Sequence, residues 1–239
     1  VPLDGHYYQH FKCENGNVGR NVIGMVPSAI PSDEYVIISA HYDHIGALNG
    51  FVYNGADDNA SGVTALMNLA EMFGSMRKAK MGPDKNIIFV ACDAKEMSMA
   101  GSRHFVKNLS IPKGKITCAI NMDQIGSTLE PVHEGIKDYL IILGENTLKK
   151  EDRGKIGLCN RFYNIHLDID YTFYSSEAFT TLYYKLSDQV AFQEAQIPAL
   201  LLTSGFHSHT YKISDDIDLI SYPTLKKRTV LVFYFVMML

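Results

Sequence analysis

Apolar residues in this chain alternate between two textures. Tyr35 to Ala40 (Y-V-I-I-S-A), Asn86 to Cys92, Ile116 to Met122, Tyr139 to Leu143 and Pro198 to Thr203 are short, densely apolar runs. Such runs read as strands buried on both faces. Between them the apolar positions fall at helical spacing. Ser61 to Met76 sets Val63, Leu66, Leu69, Ala70 and Phe73 on one stripe, with Ser61 placed to cap it. Met99 to Asn108, Asp188 to Ala195 and Thr224 to Leu239 supply three more helices. Apolar strands separated by amphipathic helices predict an α/β fold, a mostly parallel twisted sheet with helices on both faces.

The 239 residues suit one domain spanning 1–239, with residues 1–20 as an N-terminal extension. Lys and Arg number 22 against 26 Asp and Glu, so the chain has no basic footprint for nucleic acid or an anionic membrane surface. The longest apolar run, Val230 to Leu239, is about half the ~20 residues that a membrane span needs. Cys13, Cys92, Cys118 and Cys159 are widely spaced and form no C-x-x-C pair, so neither a disulfide framework nor a cysteine-held zinc is expected. The chain opens at Val1 without a signal-like apolar stretch; if the protein is exported, its targeting segment lies outside this sequence. Oligomeric state and compartment are not legible.

In parallel sheets, chemistry collects beyond the carboxyl ends of the strands. Reading past each strand gives His41-Tyr42-Asp43-His44, Asp93-Ala94-Lys95-Glu96, Asn121-Met122-Asp123 and Ser204 to His209, and the loop before the first helix adds Asp57-Asp58-Asn59. Imidazoles and carboxylates converging on one rim are the ligand types of a catalytic zinc site. Without a cation they would repel one another or stay unsatisfied.

H-Y-D-H at 41–44, N-G-A-D-D-N-A-S-G at 54–62, D-A-K-E-M-S-M-A-G-S at 93–102, N-M-D at 121–123 and H-T at 209–210 stand in an order that resembles the di-zinc aminopeptidase family. Its relatives include glutamate carboxypeptidase, glutaminyl cyclase and the metal-free transferrin receptor ectodomain. The resemblance runs from about Asn21 to the C-terminus and is faintest over 144–184. It implies a zinc-exopeptidase-like, phosphorylase/hydrolase-like three-layer sandwich, one or two zinc ions and a peptide substrate or ligand. It also implies that His41 and Asp123 ligate one metal, Glu96 and His209 the other, and that Asp58 bridges them. Asp43 would orient the His41 imidazole, and Asp57 would be a loop or capping acid. Ser187-Asp188-Gln189 resembles the family's S-D-H segment, with Gln189 where His is usual.

Two departures bear on chemistry. The family's general base is the first acid of an E-E pair, and here the pair reads Lys95-Glu96. Two zincs with Asp58, Glu96 and Asp123 carry one surplus positive charge; one zinc leaves one negative charge, which the Lys95 ammonium neutralises. At ~5 Å and an effective dielectric of ~20, each unit of imbalance is worth roughly 3 kcal/mol. Lys95 is therefore expected to favour fewer than two tightly held metals. The last ligand is the second departure. His209 keeps the H-T pair but precedes Asp215 by six residues instead of four; a gapless register puts Tyr211 in the ligand slot, and His207 is the remaining alternative. The readings are a zinc aminopeptidase attenuated at Lys95, a non-catalytic peptide- or protein-binding member of the fold, and a glutaminyl cyclase-like enzyme.

Overall fold

A computed structural model describes residues 1–239. Two N-terminal strands, β1 (Tyr8–Lys12) and β2 (Val18–Val26), precede β3 (Tyr35–His41) and a small hairpin of β4 (Gly46–Leu48) and β5 (Phe51–Tyr53). Helix α1 (Gly62–Lys78), strand β6 (Asn86–Cys92), helix α2 (Ala100–Lys107) and strand β7 (Ile116–Met122) follow. The last third holds β8 (Tyr139–Leu143), α3 (Lys155–Phe162), β9 (Asp168–Asp170), α4 (Glu177–Tyr183), α5 (Gln189–Glu194), β10 (Ala199–Thr203) and α6 (Tyr222–Met238).

Eight strands form one sheet in the order β1-β2-β6-β3-β7-β10-β8-β9. The central four, β6-β3-β7-β10, are parallel, while β2 and β8 join them antiparallel. Side-chain alternation splits the core in two. Val36, Ile38, Ile87, Phe89, Cys118 and Ile120 face Leu69 and Phe73 of α1 and Leu231 and Phe235 of α6. Ile37, Ile88, Val90 and Ala119 face Phe105 of α2 and Phe192 of α5. Each fully buried aromatic or aliphatic side chain contributes roughly 1.5–3 kcal/mol. No helix is long and apolar enough to cross a membrane.

Two differences from the sequence reading have physical causes. The N-terminal strands went unread because the apolar pattern of β2 is inverted: Val18 and Val22 are exposed while Gly19, Asn21 and Ile23 point inward. A Cβ on Gly19 would lie 2.3 Å from the Phe11 ring, so this glycine is what lets β1 close on β2. Residues 8–20 thereby extend the sheet. Ser61 does not cap α1; it is itself helical, and its hydroxyl donates to Asp57 O (2.8 Å) and accepts from Ile125 N (3.0 Å).

Sheet register levels the chemistry. Ser39 pairs with Asn121 and His41 with Cys92, so two residues further along, His41 and Asp123 emerge side by side. Arg228, fully buried on α6, donates to the carbonyls of Ile125, Ser127 and Tyr139. It fixes the loop that follows Asp123 to the helical layer.

Candidate metal centre

His41 ends β3 with its ring wholly buried, and its two nitrogens face different groups. Nδ1 lies 3.0 Å from the Asp43 backbone carbonyl, whereas Nε2 lies 3.3 Å from both Asp58 Oδ1 and Asp123 Oδ1. Zinc bonds of ~2.0–2.1 Å at tetrahedral angles set donors roughly 3.3 Å apart. These contacts match that spacing. Asp58 is fully buried, and neither of its oxygens accepts a hydrogen bond. A carboxylate in that state is costly unless a cation sits beside it. Donor chemistry, and an Asp58 carboxylate that accepts no hydrogen bond, thus fit a divalent ion beside His41.

The backbone holding these donors is fixed by side chains. Asp215 accepts the N–H groups of Asp57 (2.8 Å) and Asp58 (2.9 Å). Asn59 donates to Met122 O and accepts from Gly62 N and Gln124 N, stapling the end of β7 to the start of α1. Gly62 is required there, since a Cβ would meet Met122 O at 2.6 Å. Ser187 donates to Asp123 Oδ2 at 2.5 Å, leaving Oδ1 to face His41. Asn121 in turn donates to Ser187 Oγ and Gln189 Oε1, so the Gln at that position serves a buried hydrogen-bond chain.

The other half of the rim is built around a lysine. Lys95 is 6% exposed. Its Nζ lies 3.1 Å from Glu96 Oε1, 3.2 Å from the Tyr211 hydroxyl, 3.6 Å from Asp58 Oδ1 and 3.7 Å from Asp123 Oδ2. Burial disfavours the ammonium, but the carboxylates of Asp123, Asp58 and Glu96 outweigh it and hold the pKa well above the ordinary lysine value. His41 behaves likewise: burial opposes its charge, and Asp123, Asp43 and Asp58 raise its pKa nonetheless. Burial pushes Asp123 upward, yet Lys95 and His41 bring it well below the usual carboxylate range.

Of the residues expected from sequence, His41, Asp58, Glu96, Asp123 and Lys95 come together, and one donor each from His41, Asp58 and Glu96 falls within a 4.8 Å cluster. Asp43 is adjacent to the His41 ring. His41 is oriented by the Asp43 carbonyl, while the Asp43 carboxylate, 3.6 Å from the ring, accepts the amides of Lys95 (2.9 Å) and Glu96 (3.1 Å). His209 does not join the cluster; its Nδ1 bonds Ser214 Oγ at 2.9 Å. His207 pairs with buried Asp57 at 3.0 Å. Tyr211 reaches the site instead, because Asp215, four residues on, is the anchor of Asp57 and Asp58. His44 also borders the site unassigned by the sequence reading: its ring nitrogens are buried without hydrogen-bond partners, and Nδ1 lies 4.0 Å from Asp58 Oδ2.

The rim opens onto a cavity of about 340 Å³ with Lys95 and Asp123 at one end. Phe173, Tyr183, Leu186, Leu201 and Phe206 give it an apolar wall that Tyr211 completes. Phe173 and Tyr183 stack with ring centroids 3.6 Å apart. Two of the aromatics in 144–184 therefore line the cavity, whereas Tyr163 packs on Tyr234 of α6. Gly205, at φ 90°, leaves room for Tyr174, whose hydroxyl would lie 2.2 Å from a Cβ there.

Fold and rim together define an α/β protein with a cluster of metal-ligand side chains beside an apolar pocket. The sequence profile of Peptidase family M28 matches residues 21–236, and the chain belongs to that family. Aminopeptidase YwaD of Bacillus subtilis is 30% identical over 125 residues, which is 52% of this chain and 25% of the relative. A zinc aminopeptidase structure from Bacillus subtilis superposes with a TM-score of 0.71 at 22% identity, covering 92% of this chain and 50% of that one. A glutaminyl cyclase structure from Bacteroides thetaiotaomicron gives 0.69 at 19% identity over 96% and 82%. At these identities the two structures share the fold. The chain spans a quarter of YwaD and half of the Bacillus structure.

Proposed function

We propose that the chain is a zinc-dependent, aminopeptidase-like hydrolase of low turnover, with one zinc ion held by His41, Asp58 and Asp123. The observation that carries this reading is the pair of 3.3 Å contacts from His41 Nε2 to the two carboxylates, opening onto the apolar cavity. Bound zinc supplies Lewis-acid activation of water and of a peptide carbonyl. The residues around it do the rest. The cavity wall of Phe173, Tyr183, Leu186 and Phe206 takes one large apolar side chain of the peptide. Tyr211 closes the cavity beside Lys95.

Low turnover follows from Lys95, which stands where the family carries its general base. An ammonium stabilised by Asp123, Asp58 and Glu96 has no lone pair with which to accept a proton. A positioned base ordinarily contributes about 10²–10⁴-fold. Hydrolysis of leucyl and phenylalanyl anilides, with zinc and after chelation, tests the reading. Slow, zinc-dependent turnover supports it, and chelator-insensitive turnover sinks it.

A second reading, a non-catalytic peptide binder, is favoured by the Lys95 Nζ contact with Glu96 at 3.1 Å, which occupies an acid that would otherwise be free to ligate a metal. Calorimetry that detects binding of a Phe-Leu dipeptide in the absence of any turnover would select it.

A further inference from the structure

We propose that the Lys95 ammonium, held by the Tyr211 hydroxyl, stands permanently in place of a second metal ion, so that this domain binds one divalent ion and excludes another. The inference rests on reading His41, Asp58 and Asp123 as a zinc site. A second ion bridged by Asp58 and bound by Glu96 would, apart from Asp58 Oδ2 beside His44, have to share the oxygens that already surround Nζ. Four of them lie between 3.1 and 3.7 Å from it: Glu96 Oε1, Tyr211 OH, Asp58 Oδ1 and Asp123 Oδ2. The Tyr211 ring adds its face, with Nζ 5.4 Å from the centroid.

Charge and ligand type point the same way. Asp58, Glu96 and Asp123 carry three negative charges, which one divalent ion and one ammonium neutralise together. A second ion leaves a surplus of two positive charges in a buried site, where repulsion is poorly screened. No histidine is offered from the segment after β10 either, since His209 is bonded to Ser214 and His207 to Asp57. Tyr211 stands there with a phenol, its hydroxyl 3.2 Å from Lys95 Nζ. It is a poor zinc ligand but a good acceptor for an ammonium. Lysine and tyrosine therefore act as a matched pair, the first supplying the charge and the second replacing an imidazole that would compete for metal.

Zinc bound per chain, measured by atomic absorption after equilibration in micromolar zinc, tests the proposal on the full chain and on Lys95→Glu, Tyr211→His and the double variant. One equivalent in the natural chain and two in the double variant are expected. Two equivalents in the natural chain overturn the proposal, and so does a single equivalent in a folded double variant. Zero in the natural chain with binding regained in the double variant defeats the His41 zinc reading while supporting exclusion by Lys95. Should the double variant fail to fold, calorimetric zinc titration of the natural chain decides: one transition is expected, and a second would overturn the proposal.

Discussion

The two halves of the rim solve one electrostatic problem by different means. Around His41, the carboxylates of Asp58 and Asp123 stand 3.3 Å from an imidazole nitrogen, where we propose an exchangeable divalent ion binds. Around Glu96, the positive charge is covalently attached, as Lys95 fills the space among Glu96, Asp58, Asp123 and Tyr211. Asp58 belongs to both halves. A carboxylate cluster on a rigid strand rim must be neutralised, and the chain can do so with an ion from solution or with its own side chain. Only the first choice brings Lewis-acid chemistry.

Removing the attached charge should have the largest effect. Lys95→Met leaves Asp58 and Asp123 buried beside Glu96 without the ammonium, and losing one partner of a buried charge cluster typically costs 3–5 kcal/mol. Urea denaturation in chelator should register that loss, and saturating zinc should recover part of it. A change under about 1 kcal/mol would show that the ammonium is not what neutralises this half.

A smaller effect lies beneath His41. Asp188 is fully buried, accepts from Ser102 at one oxygen and leaves the other unpartnered. Burial pushes its pKa up to about 6, a rise that His41 and Ser102 only partly oppose. The folded state thus keeps this proton after the unfolded chain, with its ordinary value near 3.8, has released it. This group's contribution therefore favours folding most at acid pH. It declines as pH rises from about 4 to 6 and levels off at a cost of about 3 kcal/mol. Asp188→Asn removes the slope, so its stability relative to the natural chain should climb across that window. A difference that stays flat with pH would contradict the burial argument.

The least of the three concerns orientation. Ser187→Ala frees Asp123 Oδ2 from its hydroxyl donor, and loss of such an outer partner typically weakens metal affinity about 10–100-fold. Competition with a chromogenic chelator measures it. Unchanged affinity would mean that the β7 backbone alone positions Asp123.

Legibility divides along physical lines. The central strands were readable because both of their faces are buried and their apolar runs are unbroken, and the rim followed from topology. Strand β2, between β1 and β6, was not, because small and polar Gly19 and Asn21 fill its inner face while two valines face solvent. His41, Asp58, Glu96 and Asp123 each sit within a residue or four of a strand end or helix start, so local spacing fixes them. Choosing among His207, His209 and Tyr211 required knowing how the loop after β10 folds. There Thr210 turns inward to donate to Gln124 Oε1 at 3.0 Å, and Asp215 sets the register from the far side. The H-T pair pointed to His209, but a tertiary anchor decided which side chain reaches the rim. Asp43 lies beside His41, and its carboxylate also accepts the backbone amides of Lys95 and Glu96, a partnership invisible before folding.

Anomalous diffraction at the zinc edge, from crystals soaked in excess zinc, tests the central claim most directly. The account expects one peak, ~2.0–2.2 Å from His41 Nε2 and the facing oxygens of Asp58 and Asp123, with Lys95 Nζ still among Glu96 and Tyr211. A second peak between Asp58 and Glu96, with Lys95 swung out of the site, would contradict it.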